Sequence, residues 1–183
     1  MHTLINRREA FLGAALAAWA VPVVAARADQ VVVTWTGRAL SAQQGLTLRA
    51  AAEAIMPATD TPGARDAGVA EVVDRWVADW CTKADAAAIR AALDRLDAEA
   101  KAAGGTSFAN ADSVHQATVL AKLDAEKPAA GGKTPFGLLK EYVTVAFFTS
   151  RPGATQTLRY DPNPGPFRGC IPVQQVGRTW ATS

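Results

Sequence analysis

Val69, Val72, Val73, Trp76, Val77 and Trp80 fall at i, i+3, i+4, i+7, i+8 and i+11. Six apolar side chains at that spacing share a face only if the chain is α-helical, and a stripe this wide has to be buried. The spacing predicts a helix from about Asp66 to Cys81. The face reads as core, with a Trp-bearing docking face as the alternative. A chain that must cover such a stripe needs further helices, and the flanking sequence supplies them.

Ser41-Ala42-Gln43-Gln44 has the form of a capping box, Ser at the cap and Gln three residues later. The helix it opens carries Leu48, Ala51, Ala52, Ile55 and Met56 at helical spacing. Pro57 stops it, because proline disfavours the helical conformation of the residue before it. Ala58 to Ala64 is then a tight loop with Thr59, Asp60, Thr61, Pro62 and Gly63 as turn formers. Thr82-Lys83-Ala84-Asp85 resembles a second capping box. It predicts a long helix with Ile89, Leu93, Leu96 and Ala100 on one face, ended by Gly104-Gly105. A fourth helix is expected from about Asp112 to Glu126, with Val114, Ala117, Leu120 and Leu123 inward. After a Pro/Gly/Ala loop from Lys127 to Lys133, Thr134-Pro135 places a cap and a first-turn proline. The fifth helix follows. Its apolar residues, from Phe136 to Phe148, go nearly all round, so it is either central or covered by a partner.

From Ser150 the character changes. Prolines and glycines interrupt every long element, yet Leu158, Tyr160, Phe167, Ile171, Val173, Val176 and Trp180 are unlike a disordered tail. Such a tail needs a surface, its own helices or a second protein. The expected fold is therefore all-α, a bundle of about five helices with a long irregular Pro/Gly-rich C-terminal wrap.

The N-terminus has a different job. Arg7-Arg8, an apolar run from Phe11 to Ala26 broken by Pro22, and Ala26-Arg27-Ala28 make the three parts of an export signal of twin-arginine type, cut after Ala28. Asn6 stands where Ser or Thr is usual, and Phe11-Leu12 comes one place late. Export in the unfolded state is thus the alternative route. The expected organisation is a signal over residues 1–28 and a single domain over residues 29–183. Within that domain lie an extended arm or edge strand (29–40), helices (41–150) and the wrap (151–183). The signal holds three arginines against Glu9, so the mature chain has 16 basic and 16 acidic residues and is neutral. Neutrality argues against an electrostatic binder of nucleic acid or anionic membrane.

The mature chain keeps Cys81, Cys170 and His115. In an oxidising periplasm an even pair of cysteines suggests a disulfide, and closing a loop of this length is worth roughly 4–5 kcal/mol at most. The alternatives are one cysteine bridged to a partner chain, or two free thiols.

Catalytic patterns are missing. There is no Cys-x-x-Cys-His for covalent haem and no Gly-x-Gly-x-x-Gly for a dinucleotide. Gly131-Gly132-Lys133-Thr134 looks like the end of a phosphate-binding loop, but Lys127 stands where its first glycine belongs. His115 has no nucleophile or metal set beside it in sequence and reads as a surface histidine. Asp60, Asp66 and Asp74 match no metal-loop spacing and read as turn, cap and solvated-face residues.

Several segments together carry a resemblance. A helix ends Ala-Ile-Met-Pro-Ala-Thr-Asp-Thr-Pro-Gly-Ala and continues Asp-Ala-Gly-Val-Ala. The tail has Phe147-Phe148-Thr149-Ser150, Gly153-Ala154-Thr155-Gln156, Tyr160-Asp161, Gly169-Cys170-Ile171-Pro172 and Gly177-Arg178-Thr179-Trp180. The chain resembles the gluconate 2-dehydrogenase subunit 3 family, small subunits of membrane-bound flavin dehydrogenases. The resemblance implies a large partner of the glucose-methanol-choline type that binds FAD and oxidises a sugar or polyol. It also implies a cytochrome c subunit, carrying haem c, as a possible third member. The small subunit would hold no cofactor and no catalytic residue. It would support maturation and export of its partner on Arg7 and Arg8, and reach the membrane only through the complex.

The leading expectation is thus a non-catalytic periplasmic subunit and export escort. The alternatives are a free-standing periplasmic enzyme or small-ligand binder, and a structural binder of another envelope protein. A bridge from Cys81 to Cys170 would tie the wrap down. Tyr160, Phe167 and Trp180 are the expected anchors of the tail, against the core or against a partner.

Overall fold

The computed structural model describes residues 35–128, 132–163, 165–166 and 169–181. Arg7, Arg8 and Ala28 lie outside the described residues, as do 29–34 of the expected arm and Phe167. Among the described residues the chain forms α1 (Ala42–Ile55), α2 (Val69–Asp79), α3 (Lys83–Gly104), a 3-10 turn (Phe108–Asn110), α4 (Ser113–Asp124) and α5 (Pro135–Phe148). A π turn (Gly153–Thr157) and a short α6 (Val173–Val176) follow. β pairing among these residues is confined to an isolated bridge between Arg159 and Trp180. The all-α expectation of five substantial helices and an irregular tail matches. Among the described residues no helix is long and apolar enough to cross a membrane.

The helix starts are written in side chains. The Ser41 hydroxyl accepts from the Gln44 backbone N–H while the Gln44 side chain accepts from the Ser41 N–H, a complete capping box. Thr82, Asp112 and Thr134 each accept the N–H three residues on, from Asp85, His115 and Gly137. α2 is the exception. It begins at Val69, three residues later than the spacing predicts, because Gly68 sits at φ +64° and breaks the helical path. Asp66 lies in the preceding turn and accepts from the Gly63 N–H instead.

α5 packs against α3, α2, α1 and α4, and so runs through the middle of the bundle. Phe136, Leu139, Val143, Ala146 and Phe147 are buried on it. Leu48 from α1, Val69, Val73 and Val77 from α2, and Ile89, Leu93 and Leu96 from α3 complete most of the core. Each such Leu, Val, Ile or Phe contributes roughly 1.5–3 kcal/mol by leaving water. The stripe on α2 is core as far as Val77. Trp80, its last member, is 83% exposed. α2 has already ended at Asp79, so the backbone turns away and the final position swings out of register.

α4 faces differently from expectation. Val114 and Ala117 are exposed and Val119 is buried instead, while Leu123, buried, and Leu120, half-buried against the core, face inward as expected. The cause lies in the 3-10 turn. Phe108 is fully buried, Asp97 accepts its backbone N–H at 3.0 Å, and Gln116 donates to its carbonyl at 3.0 Å. Pulling Gln116 inward rotates the helix so that positions 116, 119, 120 and 123 look at the bundle.

Residues 35–40 are not an edge strand. Asp74, expected on the solvated face of α2, is buried and accepts three consecutive backbone N–H groups, from Arg38 at 2.5 Å, Ala39 at 3.1 Å and Leu40 at 2.9 Å. The indole of Trp35 lies over α1 at Gly45, where a Cβ would come within 2.1 Å of the ring. Arg49 covers the indole, 4.8 Å from its centroid, and is itself held by Glu71 at 2.6 Å. The described part of the arm is thus fastened to its own helices.

Candidate functional site

The tail begins with a change of helical pitch. The Ser150 hydroxyl donates to the Phe147 carbonyl and accepts from the Gly153 N–H. The Leu158 N–H then reaches back to the Gly153 carbonyl at 3.0 Å, closing a wide π turn. Beyond it the chain leaves on an excursion and returns. The Arg159 N–H donates to the Thr179 carbonyl at 2.8 Å, and the Ala181 N–H donates to the Arg159 carbonyl at 2.9 Å. Side chains lock the same junction. The Arg159 guanidinium lies 4.2 Å from the Trp180 ring centroid and donates to the Val176 carbonyl at 3.2 Å. Arg178 donates to the Gln156 carbonyl at 2.6 Å. Residues 159 to 181 therefore form a clasp closed on itself.

Among the described residues the clasp adds nothing to the core. The buried apolar cluster and the half-buried residues packed on it end at Phe148. Tyr160 is 55% exposed, Ile171 40% and Trp180 37%. Two of the three expected anchors, Tyr160 and Trp180, thus stand at the surface beside each other's chain segments.

The expected bridge is not formed. Cys81 and Cys170 are both free, Cys81 half-buried and Cys170 exposed. Cys81 is engaged elsewhere. It follows the end of α2 and takes a hydrogen bond from Tyr142 on α5, whose ring also meets Trp76 edge to face at 6.1 Å. That hydrogen bond, with burial and the neighbouring charges, pushes the Tyr142 hydroxyl up to about 12.

The remaining candidates resolve into structural parts. His115 is half-buried over Gly104, and Asp112 takes its backbone N–H. Lys133 pairs with Glu141, and Thr134 caps α5. Among the described residues no group of three or more His, Cys, Asp or Glu is arranged to hold a metal ion. The Pro57 to Ala64 loop is tied from within. Glu53 accepts from the Ala58 and Arg65 N–H groups, and the Ala64 N–H donates to the Met56 carbonyl. A groove of about 390 Å³ runs between Trp35, Arg38, Arg49, Glu71 and Arg75, with Arg38 held by Asp79 at 2.6 Å.

A family model described as gluconate 2-dehydrogenase subunit 3 matches residues 42–165. The match starts at the first residue of α1, takes in all five long helices and the Pro57 to Ala64 loop, and ends within the clasp. No curated protein and no solved structure matches the chain.

Proposed function

The chain belongs to the gluconate 2-dehydrogenase subunit 3 family, and from that premise we propose that it is the non-catalytic small subunit of a periplasmic flavin-dependent sugar or alcohol dehydrogenase complex. In this reading the large subunit, of glucose-methanol-choline type, holds the FAD and performs the oxidation of a CH–OH group. A cytochrome c subunit with haem c is a possible third member. The small subunit assists maturation of the large one and carries it out of the cytoplasm on the signal that begins at Arg7-Arg8.

The match over residues 42–165 is the observation that carries the proposal. The self-closed clasp with exposed Tyr160 and Trp180 supports it, since those aromatics have no use in the chain's own core. The test is co-expression with a flavoprotein large subunit of the glucose-methanol-choline type, in wild-type form and with Arg7-Arg8 changed to Lys-Lys. The expected result is loss of both chains from the periplasm in the Lys-Lys variant. Full export of the flavoprotein without the arginine pair would defeat the escort role. Sugar oxidation by the purified mature chain alone would defeat the accessory role and favour a free-standing enzyme.

A further inference from the structure

Charge is distributed unevenly along this neutral mature chain. Residues 150–183 contain four arginines, no lysine and one aspartate, whereas residues 29–149 contain 12 basic and 15 acidic residues. The body's cations are mostly satisfied at home. Arg38, Arg49, Arg95, Lys101, Lys122, Lys133 and Lys140 each hold a carboxylate. Arg151, Arg159 and Arg178, all exposed, pair with no carboxylate among the described residues. The same tail exposes Tyr160, Ile171 and Trp180, the last of them stacked with Arg159.

We propose that this clasp, together with Arg151 ahead of the π turn, is an arginine-aromatic docking surface whose occupant is an acidic patch, with an apolar centre, on the large subunit of the dehydrogenase complex. The inference rests on the function proposed above and names the surface and the chemistry of the contact. Charge complementarity selects the partner: a cationic tail on an otherwise slightly acidic molecule is steered to an anionic surface. The exclusive use of arginine points to carboxylates met in a fixed geometry, because the planar guanidinium pairs with them bidentately and sheds water more readily than an ammonium. Arg, Trp and Tyr are also the side chains that carry most binding energy in protein interfaces. The stack of Arg159 on Trp180 and the two main-chain bonds at the junction fix these groups before contact, which lowers the ordering cost of association. A second copy of this chain is a poorer occupant, since seven of the body's carboxylates already hold its own cations.

The test compares the full chain co-purified with the large subunit against R151E, R151E/R178E and R151K/R178K, with affinities measured at about 50 mM and about 300 mM salt. Wild type is expected to bind more weakly at the higher salt. R151E/R178E is expected to bind at least about tenfold more weakly at low salt, with a flatter salt dependence, and R151K/R178K to fall between the double reversal and wild type, because lysine keeps the charge and loses the bidentate geometry. R151E guards against loss of the clasp itself, because the Arg151 guanidinium makes no hydrogen bond among the described residues. It is expected to fall between wild type and the double variant at an unchanged melting temperature. Charge-reversed chains that bind like wild type would overturn the docking surface while leaving the subunit role standing. So would retention of the clasp arginines by phosphatidylglycerol vesicles or by a second copy in place of the large subunit. A wild-type chain that never associates with a large subunit would remove both readings.

Discussion

Asp74 lies on the buried side of α2 and terminates the backbone donors of Arg38, Ala39 and Leu40 in one carboxylate. Removing it leaves three N–H groups at the edge of the core without an acceptor. Asp74→Ala is expected to lower stability by about 3 kcal/mol, read as a shift in the urea midpoint at constant slope. Asp74→Asn keeps an acceptor oxygen and should lose clearly less. Gly45 offers a sharper test, because two physical effects there have opposite signs. In an open helix Gly→Ala gains about 1 kcal/mol from backbone entropy. On α1 the added methyl would meet the Trp35 indole at 2.1 Å, so the substitution must expel the ring or move the helix. Gly45→Ala is therefore expected to destabilise by about 1–3 kcal/mol. In a Trp35→Ala background the same change should turn stabilising, and a destabilisation of equal size in both backgrounds would show that the ring does not occupy that space.

At the scale of the element, α2 and α5 meet through Trp76, Tyr142 and Cys81. The hydrogen bond to Cys81 is the leading reason that Tyr142 holds its proton to about 12, with burial second. The sign of the linkage follows. A folded-state value above the unfolded one means that this contribution to stability is whole below about pH 10 and is lost as pH rises from there through about 12. The chain has two tyrosines, so in a Tyr160→Phe variant the phenolate absorbance near 295 nm reports Tyr142 alone. Its midpoint should lie near 12, and adding Cys81→Ala should bring it down towards the ordinary tyrosine range. An unmoved midpoint would mean that the thiol plays no part. The helices themselves were legible in the sequence because capping and 3.6-residue periodicity are local: Ser41, Thr82, Asp112 and Thr134 all act as caps. What was illegible depends on distant partners. Nothing near Asp74 announces three donors more than thirty residues upstream, and nothing near Phe108 shows that Asp97 and Gln116 will bury it. Trp80 fits the stripe in number but not in space, since the helix stops one residue before it. Cysteine parity suggested a bridge, but parity contains no distance, and the fold occupies Cys81 with Tyr142.

For the whole molecule the decisive boundary lies after Phe148, where the apolar core stops and the cationic tail begins. The sequence offers Tyr160 and Trp180 as candidate anchors without showing what they meet, and both are exposed on this chain. The two parts can be separated by one truncation. A chain ending at Leu158 keeps every apolar residue found buried among the described residues, and the π turn that closes α5. It loses the bonds that Arg159, Arg178 and Ala181 make within the clasp, and these serve only the clasp and the exposed end of the π turn. Because burial rather than surface hydrogen bonding sets the stability of such a bundle, the truncated chain should melt within about 4 °C of the full one. The same truncation should abolish capture of the large subunit. A large fall in melting temperature would make the tail a structural wrap of the helices, whereas an intact complex without residues 159–183 would move the interface onto the bundle, to faces such as that around Trp80.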